Sequence, residues 1–231
     1  MKRFYKDVSV GEVEGGFAIL LDGKPVKTPG RADLAVPTRA LAEEVAEEWR
    51  GQGADIAPEK MLLTKAANTA IDRVARMRAE VISDLLRFAN ADLLCYRAEA
   101  PAALTARQAQ EWDPWLDWLA KSHGARLKAT AGIVAVDQPP ETLARIEMVL
   151  NRHGPFALTG LHAATTILGS LVLALALLDE HLTARGAFAL STLEERYQAE
   201  KWGVDAEAIE RARRLENELE SAVLFMALAR S

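Results

Sequence analysis

The chain has 231 residues, 50% of them hydrophobic, with 28 Lys and Arg against 33 Asp and Glu for a formal charge of −5. This composition excludes a disordered chain, and a mild negative charge without a Lys/Arg cluster argues against nucleic acid or an anionic membrane as the main partner. The single cysteine, Cys95, cannot form an internal bridge, and Cys95, His123, His153, His162 and His181 lack metal-ligand spacing, so a reducing compartment and no metal are expected.

The opening Met1-Lys2-Arg3-Phe4-Tyr5-Lys6-Asp7 has neither the apolar core of a secretory signal nor the Arg/Ser-rich form of an organellar presequence. The chain is therefore expected to begin inside, or just before, its fold. Residues 1–36 read as short antiparallel strands: Phe17 to Leu21 is an apolar run, and Asp22-Gly23 after it is a hairpin-turn signal. Pro25, Pro29 and Pro37 limit Val26 to Thr28 and Asp33 to Val36 to short or edge strands.

After Pro37 the hydrophobic period lengthens to that of a helix. Leu41, Val45 and Trp49 stand at i, i+4 and i+8, with glutamates elsewhere, which predicts an amphipathic helix covering the sheet and ending near Gly51 or Gly53. Helical patterns dominate from Thr64: Ala67, Ile71 and Val74 form one stripe, and Val81, Ile82, Leu85, Leu86 and Ala89 another.

Thr105 to Gln108 has capping-box form, and Asp113-Pro114 reads as an interruption with a fresh cap. On one continuous helix Trp112, Trp115 and Trp118 would spread over about 120°, so at least one should meet solvent or another helix. A stop is expected at Gly124, a strand within Lys128 to Val136, and a helix opening at Pro139-Pro140.

The stretch from Pro155 to Leu178 is uncharged apart from His162 and long enough to cross a bilayer. Its strongly apolar part runs only from Ile167 to Leu178, which favours a buried core helix. Helices over 183–202 and 205–229 complete a two-part organisation, a small α+β domain at 1–62 and a larger all-α domain at 63–231.

No phosphate-binding glycine loop is present: Gly11, Gly15 and Gly16 lack the Lys-Ser/Thr that should follow. Apolar neighbours make Cys95 a buried, inert thiol. Glu194 borders the apolar face of its helix while Glu195 points to the polar side, so Glu194 calls for a partner: an arginine or hydrogen bond tying two helices, or a charged contact offered to another protein.

Taken in order, Arg3-Phe4-Tyr5-Lys6, Leu21 to Pro29, Glu48-Trp49 with Gln52, Thr64 with Asn68 to Asp72, Cys95-Tyr96-Arg97, Glu111 to Pro114, and Leu193 to Gln198 with Lys201-Trp202-Gly203 form a specific pattern. The chain resembles, over nearly its whole length, the assembly chaperones of mitochondria and α-proteobacteria that handle the α subunit of the F(1) sector of ATP synthase. The resemblance implies a small amino-terminal α+β domain joined to an orthogonal helical bundle. It also implies a non-enzymatic role: binding the unassembled α subunit and preventing its aggregation until the β subunit arrives.

On this reading Glu194, Glu195, Gln198 and Trp202 are partner-binding residues, and Trp49, Trp112 and Asp72 are structural or interface anchors. No cofactor, nucleic acid, small-molecule substrate or stable membrane insertion is expected. The expected location is the cytoplasm of a bacterium, or the mitochondrial matrix for an organellar homologue lacking its presequence. The chain departs from the mitochondrial members after Trp202-Gly203, where Val204 to Ala208 starts an Ala-rich helix instead of an acidic-aromatic stretch. Two rival readings are a small-molecule enzyme built on Glu194, Cys95 and the histidines, and a membrane-attached protein using residues 155–178.

Overall fold

The computed structural model describes residues 1–230 except Ile133, Ala135 and Val204. Strands β1 (Val8–Val13) and β2 (Gly16–Leu21) pair antiparallel, and their register sets Val8 opposite Leu21 and Val10 opposite Ile19. The far edge of β2 is shared by β3 (Lys24–Pro25) and β4 (Ala35–Val36). Asp22 and Gly23 take left-handed backbone angles, φ 48° and 77°, as the two-residue turn between β2 and β3 requires.

Helix α1 (Arg39–Arg50) begins where the Thr38 side chain accepts the Leu41 N–H, and it ends at Gly51. Its buried stripe, Leu41, Ala42, Val45 and Ala46, packs with Val8, Ile19, Leu21, Leu34 and Val36 in one core. At roughly 1.5–3 kcal/mol for each large apolar side chain buried, this stripe is what holds the helix to the sheet.

The chain divides into two compact units. The first comprises Met1–Arg78, Gly154–Gly160 and Ser221–Ser231; the second comprises Ala79–His153 and Leu161–Glu220. This grouping differs from a division after residue 62. Helix α2 (Leu62–Thr69) and the π-turn Ala70–Val74 supply Leu63, Ala67 and Ala70 to the first core, and the partly buried Phe156 stacks 5.9 Å from Phe225, which is fully buried within it. Burial of apolar groups brought back from residues 154–160 and 221–231 is invisible to a linear reading.

The second unit contains α3 (Arg78–Asn90) beyond its first residue, β5 (Tyr96–Arg97), α4 (Ala102–His123), β6 (Thr130–Ala131) and α5 (Pro140–Leu150). It continues with most of α6 (Pro155–Leu168), then α7 (Leu171–Leu178), α8 (Ala184–Ser191), α9 (Leu193–Trp202) and the larger part of α10 (Ala206–Leu228). Helix α4 is its hub, packing against α5, α7 and α9. The small antiparallel sheet with a covering helix, followed by helices, is the α+β class expected.

Several local expectations are corrected. Thr105 is not a cap: α4 starts at Ala102, and the Thr105 hydroxyl and the Gln108 side chain instead satisfy the Ala98 carbonyl and N–H. Asp113-Pro114 does not break the helix. Losing one backbone bond at Pro114 costs about 3 kcal/mol, but Leu104, Gln108, Trp112 and Leu119 are all buried along the same helix, and Pro114 is exposed. Asp113 pairs with Arg97 at 2.7 Å rather than capping.

The strand sought within Lys128 to Val136 is confined to Thr130–Ala131, parallel to β5; Ile133 and Ala135 lie outside the described residues. The uncharged stretch 155–178 is two helices, broken at Gly169 (φ 64°) because Ser170 caps α7 through the Leu173 N–H. All eight residues of α7 are buried, and no helix among the described residues is long and apolar enough to cross a membrane. The single helix expected over 183–202 is divided at Thr192, whose N–H and hydroxyl both bond the Phe188 carbonyl and finish α8. The final helix starts at Ala206, with Val204 outside the described residues.

Candidate functional site

Helix α9 buries one residue, Leu193. Glu194 and Glu195 occupy its first turn and Lys201 its last, which suits the helix dipole, and Gly203 follows with φ 80°. With so little apolar burial, the helix is fixed largely by polar contacts from α4. Gln108, wholly buried, accepts the Ala98 N–H at 2.8 Å and donates from Nε2 to Glu194 Oε1 at 2.6 Å. Arg107 bonds Glu200 at 2.8 Å and Glu111 at 2.9 Å. These contacts hold the Glu200 carboxyl below its usual range and the Arg107 guanidinium above its own.

Trp112 is also fully buried and donates its ring N–H to the Leu190 carbonyl at 3.0 Å. Arg196 reaches the Ala189 carbonyl at 2.9 Å, and the Lys201 ammonium lies 4.4 Å from the centre of the Tyr197 ring. Against this anchored side, Glu195, Gln198 and Trp202 are exposed, Trp202 at 78%. Their spacing, i, i+3 and i+7, aligns them along one face of the helix. Glu194 flanks that face, half-buried, one carboxylate oxygen committed to Gln108.

Trp49 and Asp72 belong to the first unit. The Trp49 ring meets Tyr5 edge-on at 5.7 Å, and its carbonyl accepts the Tyr5 hydroxyl at 2.7 Å. Asp72 accepts the Thr28 hydroxyl and the Gly30 N–H, each at 2.7 Å, so closely that a Cβ at Gly30 would meet its Oδ1 at 2.5 Å. It pins the 28–32 loop to the π-turn.

Several of the groups invoked for an enzyme have structural partners, and His123 and His181 both pack edge-on against Trp118. Cys95 is fully buried, and burial pushes its thiol up to about 12. His162 lies 2.9 Å from Asp84, and His123 lies 3.0 Å from Asp179 without the alignment of a hydrogen bond. Among the described residues no three His, Cys, Asp or Glu converge to hold a metal ion.

Sequence reasoning passed over Asp92 and Gln108. Asp92 is completely buried where it accepts bonds from the Leu94 N–H, the Ser170 hydroxyl and the Val172 N–H at 2.8–3.0 Å. Burial raises its carboxyl to about 6, against the lowering effect of those donors. The one signal available was placement: Asp92 immediately precedes an apolar triplet, and Gln108 shares a helical stripe with Leu104 and Trp112.

Known proteins agree with this architecture. Residues 2–120 match the family of the ATP12 chaperone protein. A mitochondrial protein of Schizosaccharomyces pombe, atp12, is 28% identical over 229 residues, covering 94% of this chain and 77% of its own. The crystal structure of Atp12 from Paracoccus denitrificans, also solved as a lysine-for-aspartate variant, superposes with a TM-score of 0.95 at 41% identity, over 99% of this chain and 98% of that one. A chaperone candidate from Agrobacterium tumefaciens superposes at 0.94 with 45% identity, covering 99% and 86%. The family and the Agrobacterium protein carry chaperone names, not enzyme names, and the chain belongs to the ATP12 chaperone family.

Proposed function

We propose that this assembly chaperone binds the unassembled α subunit of the F(1) sector of ATP synthase and shields the face later covered by the β subunit. Its contact surface is the outward side of α9, formed by Glu195, Gln198 and Trp202 with Glu194 beside them. The observation that supports this reading best is the alignment of those three exposed residues on a helix that Gln108 and Arg107 fasten to α4 through Glu194 and Glu200. A large exposed aromatic beside charged and amide groups is the composition of an interface hot spot, where Trp fills a pocket and polar neighbours set register.

A free α subunit would expose apolar surface that self-associates, and a binder that covers it lowers the concentration of the aggregating form. Release follows when the β subunit competes for the same face, so moderate affinity suffices and nucleotide hydrolysis by the chaperone has no part. Trp112 and Asp72 serve the fold, and Trp49 supports the first core. The working location is the bacterial cytoplasm or the mitochondrial matrix.

Purified chain mixed with isolated ATP synthase α subunit is expected to form a complex on size exclusion and to suppress light scattering by that subunit. Trp202→Ala and Glu195→Lys should each weaken binding about tenfold with an unchanged melting temperature. Wild-type affinity in both variants would remove α9 as the contact surface, and no complex with the wild type would remove the client assignment.

A further inference from the structure

We infer that Arg107 and Gln108 of α4 are positioning residues, a polar latch that holds α9 in its binding orientation without themselves touching the client. The inference rests on the client reading above for its consequence, but its structural half stands separately. A ten-residue helix with one buried side chain has almost no hydrophobic reason to keep its place, and an isolated helix of that length is marginal in water. What holds α9 to α4 is a pair of side-chain contacts near its two ends: Gln108 to Glu194 in the first turn and Arg107 to Glu200 in the last. A third contact, Trp112 to the Leu190 carbonyl, secures the end of α8 from which α9 departs.

The two clamps differ in environment. Gln108 is buried, and both ends of its amide are used, the oxygen by Ala98 and the nitrogen by Glu194. Rotating it would leave two buried polar groups unpaired, so this end is rigid. The Arg107–Glu200 pair is partly open to solvent, with side-chain exposures of 25% and 57%. It is therefore the end that opens first and that salt weakens. The residues offered to the client, at 195, 198 and 202, lie between and just beyond the clamps. Loosening the Arg107 end would thus cost Trp202 its fixed position before it disturbed Glu194.

The test uses the whole chain. Hydrogen exchange of residues 193–202 is measured alongside affinity for isolated α subunit in four proteins: wild type, Glu200→Arg, the charge swap Arg107→Glu/Glu200→Arg, and Gln108→Met. Glu200→Arg, a surface change that leaves the cores intact, should speed exchange in 198–202 at least tenfold and weaken binding about five- to tenfold. The swap should recover part of both, because a carboxylate at position 107 regains its partner at 200 but faces Glu111, and Gln108→Met should speed exchange over 193–198. Exchange in 171–178 should stay unchanged in the Glu200 variants.

Unchanged exchange in 193–202 for Glu200→Arg, or no recovery in the swap, overturns the latch. Faster exchange with unchanged affinity overturns its role in binding. If the wild type itself fails to bind the α subunit, the client reading falls and the exchange measurements alone decide the latch.

Discussion

Helices α7 and α9 are nearly equal in length and lie in the same unit, yet α7 buries all eight of its residues and α9 buries one of ten. Both are set in place by a buried polar side chain from an earlier segment, Asp92 for α7 and Gln108 for α9. In α7 the polar device lets an apolar helix start inside the core, because Asp92 and Ser170 take up N–H groups that water cannot reach. In α9 the polar device substitutes for a core and leaves the outer face free. A helix can thus be rigid for two opposite reasons, and only the second leaves side chains available to another protein.

The sharpest way to break this contrast is Asp92→Ala. The Leu94 and Val172 N–H groups and the Ser170 hydroxyl would lose their buried acceptor, and denaturant unfolding should show a loss of about 4 kcal/mol. Leu173→Ala, which empties a fully buried site in α7, should cost about 3 kcal/mol in the same assay.

The pH dependence of Asp92 follows from its raised pKa. The unfolded carboxyl titrates near 3.8 and the folded one near 6, so between those values the native state binds more protons. The contribution of Asp92 to stability is then least unfavourable below about pH 4, falls as pH rises, and reaches its full penalty above about pH 6. Relative to Asp92→Asn, which cannot ionise, the wild type should lose roughly 2–3 kcal/mol between pH 4 and 7. A constant difference between the two proteins over that range would show that the donors around Asp92 outweigh its burial.

On α9 the effect on stability should nearly vanish. Trp202→Ala removes a side chain 78% exposed and should change unfolding free energy by less than about 0.5 kcal/mol. A larger loss would mean that Trp202 packs against the fold, and the contrast with α7 would fail.

The elements easiest to read in the sequence were those whose periodicity is complete within a few turns. Leu41, Val45 and Ala46 announced α1, and Asp22-Gly23 announced its turn, because the required backbone angles restrict which residues fit. The exposure of Glu195 and the intermediate position of Glu194 were also legible from helical geometry. Pro114 misled because its local cost is visible in the sequence, while the burial of Trp112 and Leu119 that outweighs it is not. Gln108 and Asp92 were missed for a related reason: a polar residue reveals its burial only through partners 86 and 78 positions away.

The sequence by itself determined the α+β class, the sheet-covering helix and the family, since hydrophobic period, turn chemistry and an ordered set of motifs are all local or linear properties. The tertiary structure decided where helices break and which polar groups are buried. It also decided which end segments complete the first core and which side of α9 is tied down. Those outcomes depend on how the desolvation of one segment is compensated by atoms of another, and that balance is struck only once the chain has folded.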